Sequence, residues 1–352
     1  MKRSTENPWL TRYAWFTAAA TLVLICFGGL VTSKGAGLAV PDWPNSYGYG
    51  MFRFPASQWL FTWNGVFYEH SHRLVASGVG LLTVLLALWV WVVEARRWLR
   101  WLGLAAVFLV ILQGVLGGLR VTLLSNELGW VHGALAQSFF AVVVAIALFS
   151  SRSWQRLPRL SAPLRGTRRW LTLATALIFL QLLLGAGMRH RHTGLAVPDF
   201  PLAYGGFWPS TSPESLARYN QLRMEGTAAG AIEAVDIHLH LAHRYLAVLI
   251  LVAVGTAATS ARRRSPAGPL GVGSTFWVAL VIGQAALGVW TVLSGKAADI
   301  ATAHVAVGSL SLVTGVALVL IARRQSADLL PPAADARVSV TGESTVDVPT
   351  GG

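Results

Sequence analysis

The chain has 352 residues, 54% of them hydrophobic and only 12% charged, whereas soluble domains carry about 25% charged residues. So apolar a chain of this length belongs in a membrane. The formal net charge of +13 does not mark a nucleic-acid binder, because the basic residues sit in short blocks between long apolar runs, which is how membrane topology is encoded.

Residues 1–12 are polar, and no small-residue cleavage motif ends the apolar run behind them. Charge-poor intervals then mark eight spans: 13–33, 74–93, 101–119, 128–151, 170–188, 245–261, 265–295 and 300–322. A helix needs about 20 residues to cross the hydrocarbon core. The seventh interval opens on Ser-Pro-Ala-Gly-Pro, which reads as loop, so its helix is expected over 274–294. The one cysteine, Cys26, lies in the first span and reads as a small buried hydrophobe. It leaves no intramolecular disulfide and no cysteine-built metal site.

Basic blocks at Lys2–Arg12, Arg96–Arg100, Arg152–Arg169, Arg262–Arg264 and Arg323–Arg324 fall on one side of an eight-span chain. That side is expected to be cytoplasmic, with both termini inside the plasma membrane. Two long loops, 34–68 and 189–238, are rich in Pro, Gly and aromatics and are expected to cap the outer face. The expected division is a cytoplasmic N-terminus at 1–12, a first four-helix half at 13–151, a linker at 152–169, a second four-helix half at 170–322 and a disordered tail at 323–352.

The halves repeat each other. Residues 37–48 read GLAVPDWPNSYG and 194–205 read GLAVPDFPLAYG; EHSHR at 69–73 matches HLAHR at 240–244, and QGVLGG at 113–118 matches QAALGV at 284–289. His132 and His304 complete the set. Ordered matches at near-constant offset mark an internal duplication. Four spans per half give both halves the same orientation, related by an axis along the membrane normal. The fold class is therefore an all-α integral membrane protein, eight transmembrane helices in two tandem pseudo-symmetric four-helix bundles.

All nine histidines fall in the outer loops or near the outer ends of spans. His72 and His132 in the first half, and His243 and His304 in the second, sit at similar depth on parallel helices. Two imidazoles facing across a bundle core can ligate one heme iron axially. A proton relay is the rival reading. Zinc fits less well, since two histidines leave its shell incomplete. Arg73 and Arg244 each follow a candidate ligand and could pair with heme propionates or anchor at the interface. His70, His190, His192 and His238 read as surface or hydrogen-bonding residues. Asp42 and Asp199, each in a Pro-Asp-aromatic-Pro turn, are expected to shape the caps.

One position breaks the repeat. Glu69 is three residues before His72, on the same helix face, and its counterpart is His240. Glu69 is either a functional carboxylate or a residue that caps the helix or pairs with Arg73.

GGLVTSKGAGLAVPDWP, Glu69-x-x-His72-Arg73, His132, His243-Arg244 and His304, as an ordered set over about 10–322, resemble the heme A synthase family. The resemblance implies an oxidoreductase that converts a ring methyl of heme O to the formyl group of heme A, with water-derived oxygen or by monooxygenation, for terminal oxidase assembly. It implies a heme b cofactor on His243 and His304, substrate heme O at His72 and His132, and Glu69 as the essential acid. Heme O synthase, oxidase assembly factors and membrane lipid are the implied partners, with no nucleic acid. Many members carry a cysteine pair in the first outer loop; this chain has none there. The alternative classes are a diheme b-type electron carrier and a transporter built on parallel repeats.

Overall fold

A computed structural model describes residues 7–161, 163–222 and 230–326. In chain order the helices are α1 (Pro8–Ser33), α2 (Gly65–Val93), α3 (Arg97–Thr122), α4 (Asn126–Ser150), the short α5 (Arg152–Gln155), α6 (Arg165–His190), α7 (Pro213–Gln221), α8 (Ala234–Arg264), α9 (Pro269–Leu293) and α10 (Ala298–Gln325). All but α5 and α7 are long and apolar enough to cross a membrane. The only sheet among the described residues is a two-stranded pairing of Asn45–Ser46 with Tyr49–Gly50 in the first cap loop.

Several helices start where the sequence offers a side-chain cap. Asn7 accepts from the amides of Trp9 and Leu10, and Asn64 and Ser125 do the same for Phe67 and Leu128. Glu233 and Asp236 form a reciprocal capping box at the start of α8. These starts shift several expected bounds. Asn64 opens α2 nine residues before the charge-free interval, so Glu69, His72 and Arg73 are all helical. Pro269 opens α9 earlier than 274, because proline is favourable in a first helical turn, where its missing N–H is no loss. The helix α1 begins at Pro8 rather than 13, and α10 runs to Gln325, past the expected tail boundary at 323. The rest of the expected tail, 327–352, lies outside the described residues.

Within the first half, α1 packs on α2 and α4, and α3 packs on α2 and α4. Within the second, α6 packs on α8 and α10, and α9 packs on α8 and α10. The halves meet where α1 and α4 touch α10 and where α4 touches α6. Small residues permit that approach: a Cβ on Gly29 of α1 would lie 3.0 Å from the Thr302 methyl on α10.

Each half has its own apolar core, displaced toward the arginine-rich end. In the first half it runs through Leu10, Ala14 and Ala18, Val79 to Val93, Leu99 and Ala106, and Phe139 to Ala147. In the second it is built on Leu171, Ile178, Ile250, Val254, Trp277 and Leu318. Nearer the histidines, Leu24, Ile25, Leu109 and Val110 are only half-buried. Large side chains such as Leu88, Phe108, Val252 and Phe276 are exposed, as expected of helices whose outer surface meets lipid rather than water.

Candidate functional site

The cap loops are held to the helix ends by the same bonds in both halves. Asp42 accepts from the amides of Tyr47 and Gly48, each at 2.7 Å, and Asp199 accepts from those of Tyr204 and Gly205 at 2.8 and 3.1 Å. The Tyr47 and Tyr204 hydroxyls donate back to the carbonyls of Ala39 and Ala196. Tyr47 and Tyr204 both take the left-handed conformation, with φ of 51° and 50°, each followed by a glycine at positive φ. Partial burial alone would raise the Asp42 carboxyl; the Gly48 and Tyr47 amides and the nearby Arg73 charge outweigh it and hold the group below the usual carboxylate range.

Arg73 and Arg244 spend their N–H groups on these loops. Arg73 donates to the carbonyls of Val40, Asp42 and Asn45 at 2.7–2.9 Å. Arg244 donates to those of Val197 and Leu202, the repeat counterparts of Val40 and Asn45. Glu69 and His240 complete the clamp. The Val40 amide donates to Glu69 Oε2 at 2.9 Å, and the Val197 amide donates to His240 Nδ1 at 3.3 Å. The other Glu69 oxygen accepts from Arg73 at 2.8 Å. Glu69 and His240 are both buried.

Behind each clamp stand the histidines expected as ligands. Each ring lies edge-on against a glycine of the neighbouring helix: His72 on Gly28 of α1, His132 on Gly117 of α3, His243 on Gly185 of α6 and His304 on Gly288 of α9. A Cβ at those glycines would lie 3.2, 3.3, 3.3 and 3.0 Å from the respective Cε1 atoms. A one-carbon side chain would therefore push against the ring at every one of the four places. His132 and His243 also offer their backbone carbonyls to Gln113 and Gln181.

In the second half two of these rings face each other. The centres of His243 and His304 are 6.4 Å apart, their planes at 63°. A metal–imidazole bond is about 2 Å, so two rings sharing one ion from opposite sides have centres about 6 Å apart. In the first half the corresponding residues are His72 on α2 and His132 on α4. The Nδ1 atoms of His72, His132 and His243 are buried without a hydrogen-bond partner. His304 Nδ1 lies 3.2 Å from the Gln284 carbonyl. An Nδ1–H donating there leaves Nε2 as the lone-pair donor.

Among the described residues no three His, Cys, Asp or Glu side chains converge as a metal-holding group. A bare zinc ion would lack ligands in either half. A heme iron would need only one or two ligands from the protein; His72 and His132 in the first half, and His243 and His304 in the second, are the residues that would hold it.

The remaining histidines divide. His70 is buried, bonds to Ser46 Oγ at 3.1 Å and sits between Phe54 and Trp59. His238 stacks on Trp208. His190, at the end of α6, reaches across to the first half, where a Cβ on Gly129 of α4 would lie 2.5 Å from its ring. Two features escape a reading by residue type. The four cradle glycines are inconspicuous among 35 glycines, although Gly117 and Gly288 stand at matching places in QGVLGG and QAALGV. Arg120, at the end of α3, lies at the histidine end, away from every basic block.

The chain matches the model of the COX15-CtaA family, described as cytochrome oxidase assembly protein, over residues 11–316. It is 30% identical to the heme A synthase of Alkalihalophilus pseudofirmus over 56% of its own length and 65% of that protein, just under two thirds of the relative. It is 28% identical to the heme A synthase of Shouchella clausii over 82% of its length and 88% of the relative. To that of Caulobacter vibrioides it is 27% identical over 92% and 98%.

Proposed function

The chain belongs to the COX15-CtaA family of cytochrome oxidase assembly proteins, and we propose that it is a heme A synthase, a multi-pass membrane oxidoreductase acting on heme O. The observation that carries this reading is the pair of glycine-backed histidines in each half, with ring centres 6.4 Å apart in the second. His243 and His304 hold a heme b cofactor, and His72 and His132 receive heme O. Heme b bound there supplies one-electron redox chemistry. The halves act as two four-helix bundles side by side, capped on the outer face, with both termini in the cytoplasm.

The chain's own residues divide the work. His72 and His132 orient the substrate ring between α2 and α4. The caps, clamped by Arg73 and Arg244, cover the histidine end and limit access of water. Oxidation of a methyl carbon makes that carbon electron-deficient, and the Glu69 carboxylate, one helical turn from His72, is the group that stabilises it. Heme O synthase supplies the substrate, and oxidase assembly factors take the product.

Acid extraction of hemes from the purified protein, followed by mass analysis, tests this. Heme b together with heme O or heme A is the expected result. Two equivalents of heme b alone would make the chain a diheme electron carrier, and a colourless protein would make it a transporter.

A further inference from the structure

We propose that Arg120 binds a carboxylate of the tetrapyrrole substrate in the first half and so fixes which edge of the ring faces Glu69. The proposal rests on the reading of His72 and His132 as substrate ligands. Arg120 stands on α3 three residues after Gly117, the glycine that backs His132, and so on the same helix face. Its guanidinium is wedged between cap and bundle. A Cβ on Gly37 of the cap would lie 2.7 Å from both Nη atoms, and a Cβ on Gly129 of α4 would lie 2.9 Å from Nε. The His190 ring flanks the same face of Gly129.

Among the described residues no carboxylate lies within ion-pair distance of this cation. Arg120 is half-buried and has five N–H donors, yet among the described residues it makes no hydrogen bond and no ion pair within 4.0 Å. The Glu69 oxygens are already engaged by Arg73 and the Val40 amide. Glu127, on the neighbouring helix α4, is bonded to Ser125. A partly desolvated guanidinium without an anion is costly, and a carboxylate is its geometric match.

The second half repeats the arrangement with different chemistry. The residue in register with Arg120 is Thr291, whose hydroxyl bonds the Leu287 carbonyl. A cation still stands over the matching cap glycine: a Cβ on Gly194 would lie 3.1 Å from Lys296 Cδ. The first half thus has the planar fork suited to bidentate contact and the second a point charge. A site that must present one ring edge to a reacting group benefits from the fork, whereas a resident ring needs retention only.

The test uses the full-length protein in detergent, titrated with hemin or hemin dimethyl ester and followed by heme absorbance. Hemin has two free propionates and the ester has none. The wild type is expected to bind hemin at least about tenfold tighter than the ester. Arg120→Gln should erase that preference by weakening hemin alone, and Arg120→Lys should restore part of it. Size-exclusion elution checks that each variant is folded. Unchanged hemin preference in Arg120→Gln overturns the proposal. So does equal weakening of both probes, the mark of a structural role. His72→Ala is titrated in parallel: full hemin binding there defeats the reading of the first-half ligands, whatever Arg120 does.

Discussion

Glu69 and His240 occupy the same place in the two halves and do the same thing to the backbone, each accepting the amide of the residue before Pro-Asp in its cap loop. Arg73 and Arg244 likewise clamp matching carbonyls. A neutral imidazole therefore suffices to close a cap, and the negative charge of Glu69 is surplus to that task. At this position the first half keeps a carboxylate, buried and paired with Arg73, where the second half has an imidazole. Burying an ion pair rarely adds stability over neutral groups of similar size. A carboxylate at only one of these two matched positions is what the proposed role of Glu69 in the first half requires.

The widest separation between the halves is expected from the histidines themselves. His243→Ala or His304→Ala should abolish the low-spin heme spectrum of the purified protein, since one axial partner cannot hold the iron in that state. His72→Ala and His132→Ala should leave that spectrum largely intact while stopping heme A formation. A resident heme that survives both second-half substitutions would reverse the assignment of roles.

Next in size is the charge at position 69. Glu69→Gln keeps an oxygen for the Val40 amide and removes the charge; Glu69→His copies the second half. Both should insert and keep the resident heme. If the carboxylate stabilises the reacting carbon, its loss costs on the order of 3 kcal/mol in the barrier, about a hundredfold in rate. The heme O to heme A ratio in cells that supply heme O measures this. Wild-type heme A from Glu69→His would reduce Glu69 to a cap residue and erase the difference between the halves.

Much of this was legible in the sequence because two periodic signals reinforce each other. Charge-poor runs located all eight spans, since a helix in lipid tolerates few ions, and the duplication picked four histidines out of nine. The clamps were half legible. Asp42 and Asp199 read as cap-shaping, but Arg73 and Arg244 follow histidines in the chain while their side chains reach carbonyls some thirty to forty-seven residues away. Such pairings depend on how the loop folds back. The cradle glycines gave no chemical signal, because what matters at Gly28, Gly117, Gly185 and Gly288 is the absence of a Cβ. Arg120 was missed as well: it ends a span at the face opposite the basic blocks, but what gives it meaning, its neighbours Gly37 and Gly129, comes from a loop and another helix.

The cradles sharpen the comparison more gently. His304 is pinned twice by α9, at Gly288 and through Nδ1 at the Gln284 carbonyl, whereas His132 has an unpartnered Nδ1 and slightly more room at Gly117. Gly288→Ala should therefore strain its ring more than Gly117→Ala. Overpacking of this kind costs about 1–3 kcal/mol. The expected readout is faster loss of the resident heme to a scavenging protein in Gly288→Ala, and weaker heme binding to the first half in Gly117→Ala with resident-heme loss unchanged. Equal effects on the resident heme would mean that the two sites are not separately built.

The smallest expected effect is in the caps and depends on pH. Asp42 accepts two amides at 2.7 Å, and its carboxyl is held below the usual range by those bonds and by Arg73, against the opposing effect of burial. A lowered folded-state pKa means that the ionised carboxylate stabilises the closed cap. That contribution is present above the unfolded value of about 3.9 and is lost as pH falls through the lower folded value. Asp42 lies near the surface, so screening limits it to about 1 kcal/mol or less. Asp42→Asn can satisfy only one of the two amides with its carbonyl and has no charge to lose. Hydrogen exchange over residues 37–48, corrected for intrinsic rates, should show a cap that is looser in the variant at pH 7. The two proteins should converge as the pH drops below about 4. Asp199→Asn should loosen residues 194–205 less, since one of its amide bonds is already longer at 3.1 Å. A variant whose cap exchanges like the wild type at pH 7 would show that Arg73, Glu69 and Tyr47 hold the loop without Asp42.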